Sequence, residues 1–209
     1  MKNQLISITL ENIRQQFSYE HCIIKHFSYH FESCNTYGII GKNGCGKSTL
    51  MKIIAGYCLP TYGKVIYRYN NKLIDKEQFY QYSIILAPDL YLIEELNVLD
   101  LFKFHFHFKK SKFPHFSKKE LISWLDMDAY ANKPVYTLSS GLKQKLKLGL
   151  CFLTDVPVLL LDEPTVYLDE KNVKWYNENI QQLAKQKLIF IFSNNSKEYQ
   201  HCNKTISID

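Results

Sequence analysis

The sequence predicts an α/β fold with a mainly parallel sheet, an N-terminal antiparallel β layer and an inserted helical subdomain. The apolar run Tyr37–Ile40, a glycine-rich loop and the helix-like run Leu50–Gly56 follow one another directly, which is the order that a phosphate-binding loop needs. Val158–Leu161 is a continuous apolar run, typical of a parallel strand buried on both faces. Helix Glu170–Gln186 and strand Leu188–Phe192 continue the alternation.

Length and composition favour one soluble domain, 1–209, in which about 92–150 form the helical subdomain. No apolar run approaches the ~20 residues of a membrane helix, and the N-terminus lacks the long apolar segment of a secretory signal. We therefore expect a cytoplasmic chain with reduced cysteines, which reaches a membrane only through a partner. The net charge of +6 permits contacts with phosphate, anionic lipid or nucleic acid and selects none of them.

The antiparallel layer is predicted from short alternating segments on either side of the glycine-rich loop. Leu5–Leu10 and Cys22–Phe31 have strand patterns, and Ile13–Tyr19 leads into a turn between them. Val65–Tyr69 and Lys72–Ile74 form a predicted hairpin with two asparagines at its turn. We expect this layer to lie beside the bound phosphate compound.

The helical subdomain interrupts the alternation of strands and helices after strand Ser83–Ala87. Val98–Phe108, Lys118–Leu125 and Leu142–Leu153 have helical patterns. The last predicted strand is Thr205–Ile208. We expect the subdomain to separate the first half of the parallel sheet from the second.

The glycine-rich loop has the full G-x-x-x-x-G-K-[ST] pattern of a P-loop NTPase core. Its glycines let the backbone fold tightly and aim its N–H groups at an anion, and the helix behind it favours phosphate. Lys47 supplies a charge for the β- and γ-phosphates, and the Ser48 hydroxyl suits Mg²⁺. The predicted nucleotide-binding residues are Gly41, Lys42, Asn43, Gly44, Cys45, Gly46, Lys47, Ser48 and Thr49.

Two acidic residues follow the buried strand, at the sheet edge where ligands collect in open α/β folds. Asp162 suits Mg²⁺ held through water, and Glu163 suits polarisation of an attacking water. Phe17 and Tyr19 lie upstream of the loop, and either ring offers a face to adenine. The alternative for these two rings is a place in the hydrophobic core.

The segment Leu138–Leu142, followed by Lys143–Gln144–Lys145, resembles the signature sequence of the ATP-binding-cassette (ABC) ATPases. Val158–Thr165 resembles the Walker B segment of that family, and Leu168–Asp169 matches the end of its D-loop. The order and spacing of these motifs agree with the family over nearly the whole chain. The resemblance is to an ABC transporter ATP-binding subunit.

The resemblance implies a head-to-tail dimer, homo- or heteromeric, that hydrolyses ATP with Mg²⁺ and powers a separate transmembrane permease. Each ATP lies between the phosphate loop of one subunit and Ser139, Ser140 and Gly141 of the other. The family also implies that Phe17 stacks on adenine and that the subunit lies on the inner face of the cell membrane. Nucleic acid is not an expected partner.

Two positions depart from the family pattern and concern turnover. The family usually has glutamine after the strand Ser83–Ala87, where this chain has Pro88 followed by Asp89, a carboxylate that suits a metal ion. The family usually has histidine just after the strand that ends at Phe192–Ser193. Asn195, which follows Asn194, is the predicted match, with a catalytic contact to the γ-phosphate. We therefore expect ATP binding with modest hydrolysis.

Two alternatives remain open from the sequence. One is a non-transport ABC ATPase that acts on ribosomes or DNA, although such relatives tend to carry tandem domains or a long coiled-coil insertion. The other is a nucleotide-binding regulatory module, which the presence of Lys47, Asp162 and Glu163 disfavours.

Overall fold

The computed structural model describes residues 5–18 and 21–208 and contains one antiparallel and one parallel sheet. The strands are β1 (Ile6–Ser18), β2 (His21–Glu32), β3 (Thr36–Ile40), β4 (Tyr62–Tyr69), β5 (Lys72–Ile74), β6 (Ser83–Leu86), β7 (Val158–Asp162), β8 (Leu188–Ser193) and β9 (Lys204–Ser207). The helices are α1 (Lys47–Ile54), α2 (Val98–Phe108), α3 (Lys118–Trp124), α4 (Ser140–Leu153), α5 (Glu170–Ala184) and α6 (Ser196–Tyr199). The predicted α/β fold class is thus confirmed.

The antiparallel sheet has the order β2-β1-β4-β5. The strand expected at Leu5–Leu10 is longer than predicted, because β1 continues through Ile13 to Ser18, with a register shift between Leu10 and Ile13. The β4–β5 hairpin is confirmed, and Asn70 and Asn71 at its turn both have positive φ, 49° and 65°. Asparagine tolerates this conformation, which two-residue hairpin turns require.

The parallel sheet has the order β6-β7-β8-β3-β9. All five residues of β7 are buried, because strands lie on both sides of it and helices cover both faces. β3 and β8 end side by side, with Ile40 paired to Ser193. The loop after β3 and the residues that follow β7 and β8 therefore meet at the carboxyl edge of this sheet.

Three hydrophobic clusters hold these layers together. α1 contributes Leu50 and Ile53 to a cluster that it shares with β1 and β3, between the two sheets. α5 covers the opposite face of the parallel sheet. The helices α2, α3 and α4 share a third cluster, which contains Phe102 and Leu121, and this agrees with a distinct helical layer whose limits at about 92–150 stay a prediction. No helix in the described part of the chain is long and apolar enough to cross a membrane.

Candidate functional site

The phosphate loop connects β3 to α1 and contains glycines at positions where a side chain does not fit. Gly46, which precedes α1, has φ 106°, and a Cβ atom there would lie 2.4 Å from Ile23 Cγ2. A Cβ atom on Gly41 would lie 2.4 Å from the carbonyl oxygen of Ile208. No side chain of the described residues caps the start of α1, and the first amide groups of a helix favour an anion.

Lys47 lies at the base of this loop and is only 7% exposed. Its ammonium group donates to the carbonyl oxygens of Gly41, at 2.7 Å, and Lys42, at 3.1 Å. These bonds hold the side chain across the loop, so that its charge lies against the cavity above α1. A phosphate that enters the cavity meets both this charge and the amide groups of α1.

Ser48 and Asp162 bring two oxygen ligands together. The Ser48 hydroxyl donates to Asp162 Oδ2 at 2.8 Å. The pKa of Asp162 is raised, chiefly by burial and also by the Glu163 carboxylate. Its bond with Ser48 and the charge of Lys47 act in the opposite direction. A hydroxyl and a carboxylate side by side suit a hard cation such as Mg²⁺. Within residues 5–18 and 21–208, no group of three or more His, Cys, Asp or Glu side chains suits a metal ion.

Glu163 has a left-handed backbone, φ 44°, and its N–H donates to the carbonyl oxygen of Phe192 at 2.9 Å. This conformation is unusual for a residue other than glycine, and it turns the chain sharply at the end of β7. Glu163 lines a cavity of about 440 Å³ above the phosphate loop. The residues around that cavity are Ile23, Asn43, Gly44, Gly46, Lys47, Ser48, Thr49, Pro88, Asp162 and Glu163.

The signature residues lie at the start of α4 and do not line this cavity. Ser139 caps α4, and its hydroxyl accepts from the Leu142 N–H at 3.3 Å. Gly141 is required by a close approach, since a Cβ atom there would lie 2.7 Å from the Tyr167 carbonyl oxygen. Ser140 lines a second cavity, of about 290 Å³, on the other side of Glu163.

At the end of β6 the structure places Asp89 away from the predicted metal ligands. Its carboxylate accepts from the Lys52 ammonium at 3.1 Å, and its side chain is 61% exposed. Pro88, one residue earlier, lines the phosphate-loop cavity instead. The cause is the strand register. Leu86 pairs with Leu161, so Pro88, two residues after the end of β6, lies level with Glu163. Asp89 is one residue further along and lies beyond the edge of the sheet.

At the end of β8 the structure favours Asn194, not the predicted Asn195, as the amide next to the phosphate loop. Asn194 Nδ2 donates to Asn43 Oδ1 at 2.9 Å, whereas the Asn195 side chain caps α6 and accepts from the Lys197 N–H at 3.1 Å. A sequence signal for this existed. Asn195 followed three residues later by Glu198 is the pattern of a helix N-terminus, which assigns the Asn195 side chain to capping.

The predicted adenine-stacking residue Phe17 has its backbone in β1, while its side chain lies outside the described part of the structure. Tyr19, the other aromatic residue considered for adenine, lies outside the described residues. The stacking role of Phe17 stays a prediction.

Two further residues, to which the sequence assigned no role at the site, reach the turn after Glu163. Gln144 on α4 donates to the Pro164 carbonyl oxygen at 2.8 Å. Glu198 on α6 accepts from the Thr165 N–H at 2.8 Å and also from the Thr165 hydroxyl. Their partners are far away in sequence, so no local pattern reveals the contacts.

Comparison with known proteins gives one consistent result. A family profile described as "ABC transporter" matches residues 24–166. The spermidine/putrescine import ATP-binding protein PotA of Mycoplasma mycoides is 28% identical over 188 residues, which are 88% of this chain and 52% of that protein. This chain thus spans about half the length of that curated relative.

Solved structures agree in fold. A putative ABC transporter ATP-binding protein from Pyrococcus furiosus has a TM-score of 0.79 at 21% identity, over 97% of both chains. A dimeric ATP-binding cassette in a post-hydrolysis state, bound to ADP and Pi, has a TM-score of 0.81 at 19% identity, over 97% of this chain and 94% of that one.

Proposed function

The chain belongs to the ABC transporter family, and on that premise we propose that it is an ATP-binding subunit that hydrolyses ATP to power a separate membrane permease. One observation carries the proposal: Lys47, Ser48, Asp162 and Glu163 line a single cavity above the phosphate loop. A phosphate-binding cation, two hard-cation ligands and a candidate base are therefore present together.

Each of these residues has a role in hydrolysis that follows from its position. The loop amide groups and Lys47 hold and neutralise the phosphates of ATP. Ser48 and Asp162 hold Mg²⁺, which offsets phosphate charge when it is bound. Glu163, at the cavity wall, accepts a proton from the attacking water. Asn194, next to the loop, donates a hydrogen bond to the γ-phosphate without adding a charge.

A second subunit completes the site in this proposal. Ser139, Ser140 and Gly141 lie outside the phosphate-loop cavity of their own chain, yet a capped helix N-terminus suits an anion. ATP brought by another subunit, identical or related, would supply that anion and close the dimer, and hydrolysis would open it again. The dimeric state of the cassette bound to ADP and Pi supports this arrangement.

The permease partner sets the location and the transported compound. The curated relative of this chain is named as an import ATP-binding protein, which supports a transport role over an action on ribosomes or DNA. We place the subunit in the cytoplasm, peripheral on the inner face of the cell membrane, where it contacts the permease.

The test is ATP hydrolysis by the purified full chain and by the chain copurified with its membrane partner after detergent solubilisation. We expect Mg²⁺-dependent release of phosphate, loss of at least about 100-fold in Lys47→Ala, and normal activity in Lys171→Ala, an exposed lysine on α5. Absence of hydrolysis in the unmodified chain, with and without a copurified polytopic protein, would overturn the proposal.

A further inference from the structure

The turn 163–168, which joins β7 to α5, carries Glu163 and has an unusual backbone. Both Glu163 and Tyr167 have positive φ, 44° and 67°. Within the turn, the N–H groups of Val166 and Leu168 donate to the carbonyls of Glu163 and Thr165, at 3.3 and 3.1 Å. Left-handed conformations cost energy in residues other than glycine and persist where surrounding contacts impose them. The turn therefore needs contacts from outside itself.

Glu198 supplies two of these contacts. Glu198 is 3% exposed, and its Oε1 atom accepts from both the backbone N–H and the hydroxyl of Thr165. Its other oxygen, Oε2, and the Tyr176 hydroxyl are buried and have no hydrogen-bond partner among the described residues. Burial raises the pKa of Tyr176, and the Glu198 carboxylate raises it further. A carboxylate is costly to bury, but it forms stronger hydrogen bonds than a neutral acceptor does.

The position of Glu198 links the turn to the phosphate loop. The side chain of Asn194 bonds Asn43 of the loop, α6 begins two residues later at Ser196, and Glu198 lies within this helix. From the opposite side, Gln144 on α4 is 7% exposed and bonds the Pro164 carbonyl oxygen. The turn is thus held between α6, which lies next to the phosphate loop, and α4, which carries the signature residues.

We propose that Glu198 is a positioning residue for hydrolysis: it fixes the turn 163–168 so that Glu163 keeps its left-handed backbone at the cavity wall. Gln144 holds the same turn from the signature helix. The inference rests on the proposed function, since the placement of Glu163 affects a rate only where Glu163 activates water. Glu198 itself lies outside the set of residues that line the cavity and acts through Thr165.

The experiment compares Glu198→Ala, Glu198→Gln and Thr154→Val in the full chain. Thr154 is fully buried and its hydroxyl bonds both the Leu150 carbonyl and His105, so Thr154→Val is a matched loss of two hydrogen bonds far from the turn. We expect Glu198→Ala to lower kcat about 10-fold or more with KM for ATP within about twofold. Glu198→Gln, which keeps an acceptor for Thr165, should restore most of kcat. Thr154→Val should lower the unfolding temperature and leave kcat unchanged.

Hydrogen exchange of the turn provides a readout that does not depend on hydrolysis. In Glu198→Ala the amides of Val166 and Leu168 should exchange about 10-fold faster or more, while those of α1 do not change. A fall in activity that Thr154→Val reproduces, or a Glu198→Ala variant with normal kcat and normal exchange in the turn, would overturn the inference. An unmodified chain that does not hydrolyse ATP, but in which Glu198→Ala still accelerates exchange in the turn, would count against the proposed function instead.

Discussion

The two edges of the parallel sheet both hold buried ionisable side chains, and they use them differently. At the carboxyl edge, Asp162 bonds the Ser48 hydroxyl and lines the phosphate-loop cavity. At the amino edge, Lys187 is 5% exposed and donates to the backbone carbonyls of Thr154 and Val156. His105 bonds the Thr154 hydroxyl at 2.8 Å beside it.

The pKa values at the two edges are shifted by the same cause. Burial raises the pKa of Asp162, and it lowers the pKa of Lys187 to about 8 and that of His105 to about 4. Shifted pKa values are common at functional sites but also arise from burial alone. The carboxyl-edge group opens onto a cavity, whereas the amino-edge groups are bonded to the protein's own backbone and hydroxyl groups. Mutations at the first edge should therefore change activity, and mutations at the second should change stability.

The largest effect is expected at the carboxyl edge, from Glu163→Gln. Glutamine keeps the size of the side chain but does not accept a proton, so kcat for ATP hydrolysis should fall by about 10²- to 10³-fold. The free energy of unfolding should stay within about 0.5 kcal/mol of the original, because Glu163 is partly exposed. Steady-state phosphate release and urea unfolding measure the two quantities, with Glu178→Gln on the exposed side of α5 as control. A Glu163→Gln variant that hydrolyses ATP normally would remove Glu163 as the base.

The next effect concerns the amino edge and the pH dependence of stability. The pKa of His105 is lowered from about 6.5 to about 4 in the folded state, so between these values the unfolded chain binds a proton that the folded chain does not. The free energy of unfolding should therefore fall as the pH drops from about 6.5 to 4, by roughly 3 kcal/mol from this residue.

Urea unfolding at several pH values tests this contribution through two matched variants of α2. His105→Gln should flatten the loss of stability between pH 6.5 and 4, relative to the original chain. His107→Gln, at an exposed position of the same helix, should keep it. Equal pH dependence in all three proteins would show that folding does not lower the pKa of His105. In neither variant should kcat at pH 7.5 change, because both residues lie away from the carboxyl edge.

A smaller change is expected at the end of β8, where adjacent asparagines have different partners. Asn194→Ala removes the contact with Asn43 and the proposed bond to the γ-phosphate, and it should lower kcat about 10-fold. Asn195→Ala removes only the cap of α6 and should cost up to about 1 kcal/mol of stability with kcat within about twofold. Steady-state kinetics of the two variants shows which asparagine contributes to ATP hydrolysis. A larger loss of kcat in Asn195→Ala would restore Asn195 to the catalytic position.

At the carboxyl edge, the sequence predicts the phosphate loop and the end of β7 better than the residues that follow β6 and β8. The phosphate loop and the pair Asp162–Glu163 follow from local patterns, because glycines, one lysine and an apolar run define them. After β6 and β8 the residues next to the cavity and the loop differ by one from expectation, Pro88 in place of Asp89 and Asn194 in place of Asn195, since these positions depend on the register of neighbouring strands. The contacts of Gln144 and Glu198 are made only by the tertiary fold, and sequence spacing does not report them.

The smallest effect is expected from Asp89, the predicted metal ligand that the structure places in an ion pair with Lys52. Both side chains of that pair are about half exposed, at 46% and 61%, so water screens it and its contribution to stability is about 0.5 kcal/mol or less. Asp89→Asn should leave the Mg²⁺ concentration for half-maximal ATP hydrolysis within about twofold, whereas Asp162→Asn should raise it about 10-fold or more. Titration of both variants with Mg²⁺ at fixed ATP separates the two positions. If Asp89→Asn raises the Mg²⁺ requirement as much as Asp162→Asn does, the loop after β6 must rearrange when nucleotide binds and bring this carboxylate into the cavity that Pro88 lines.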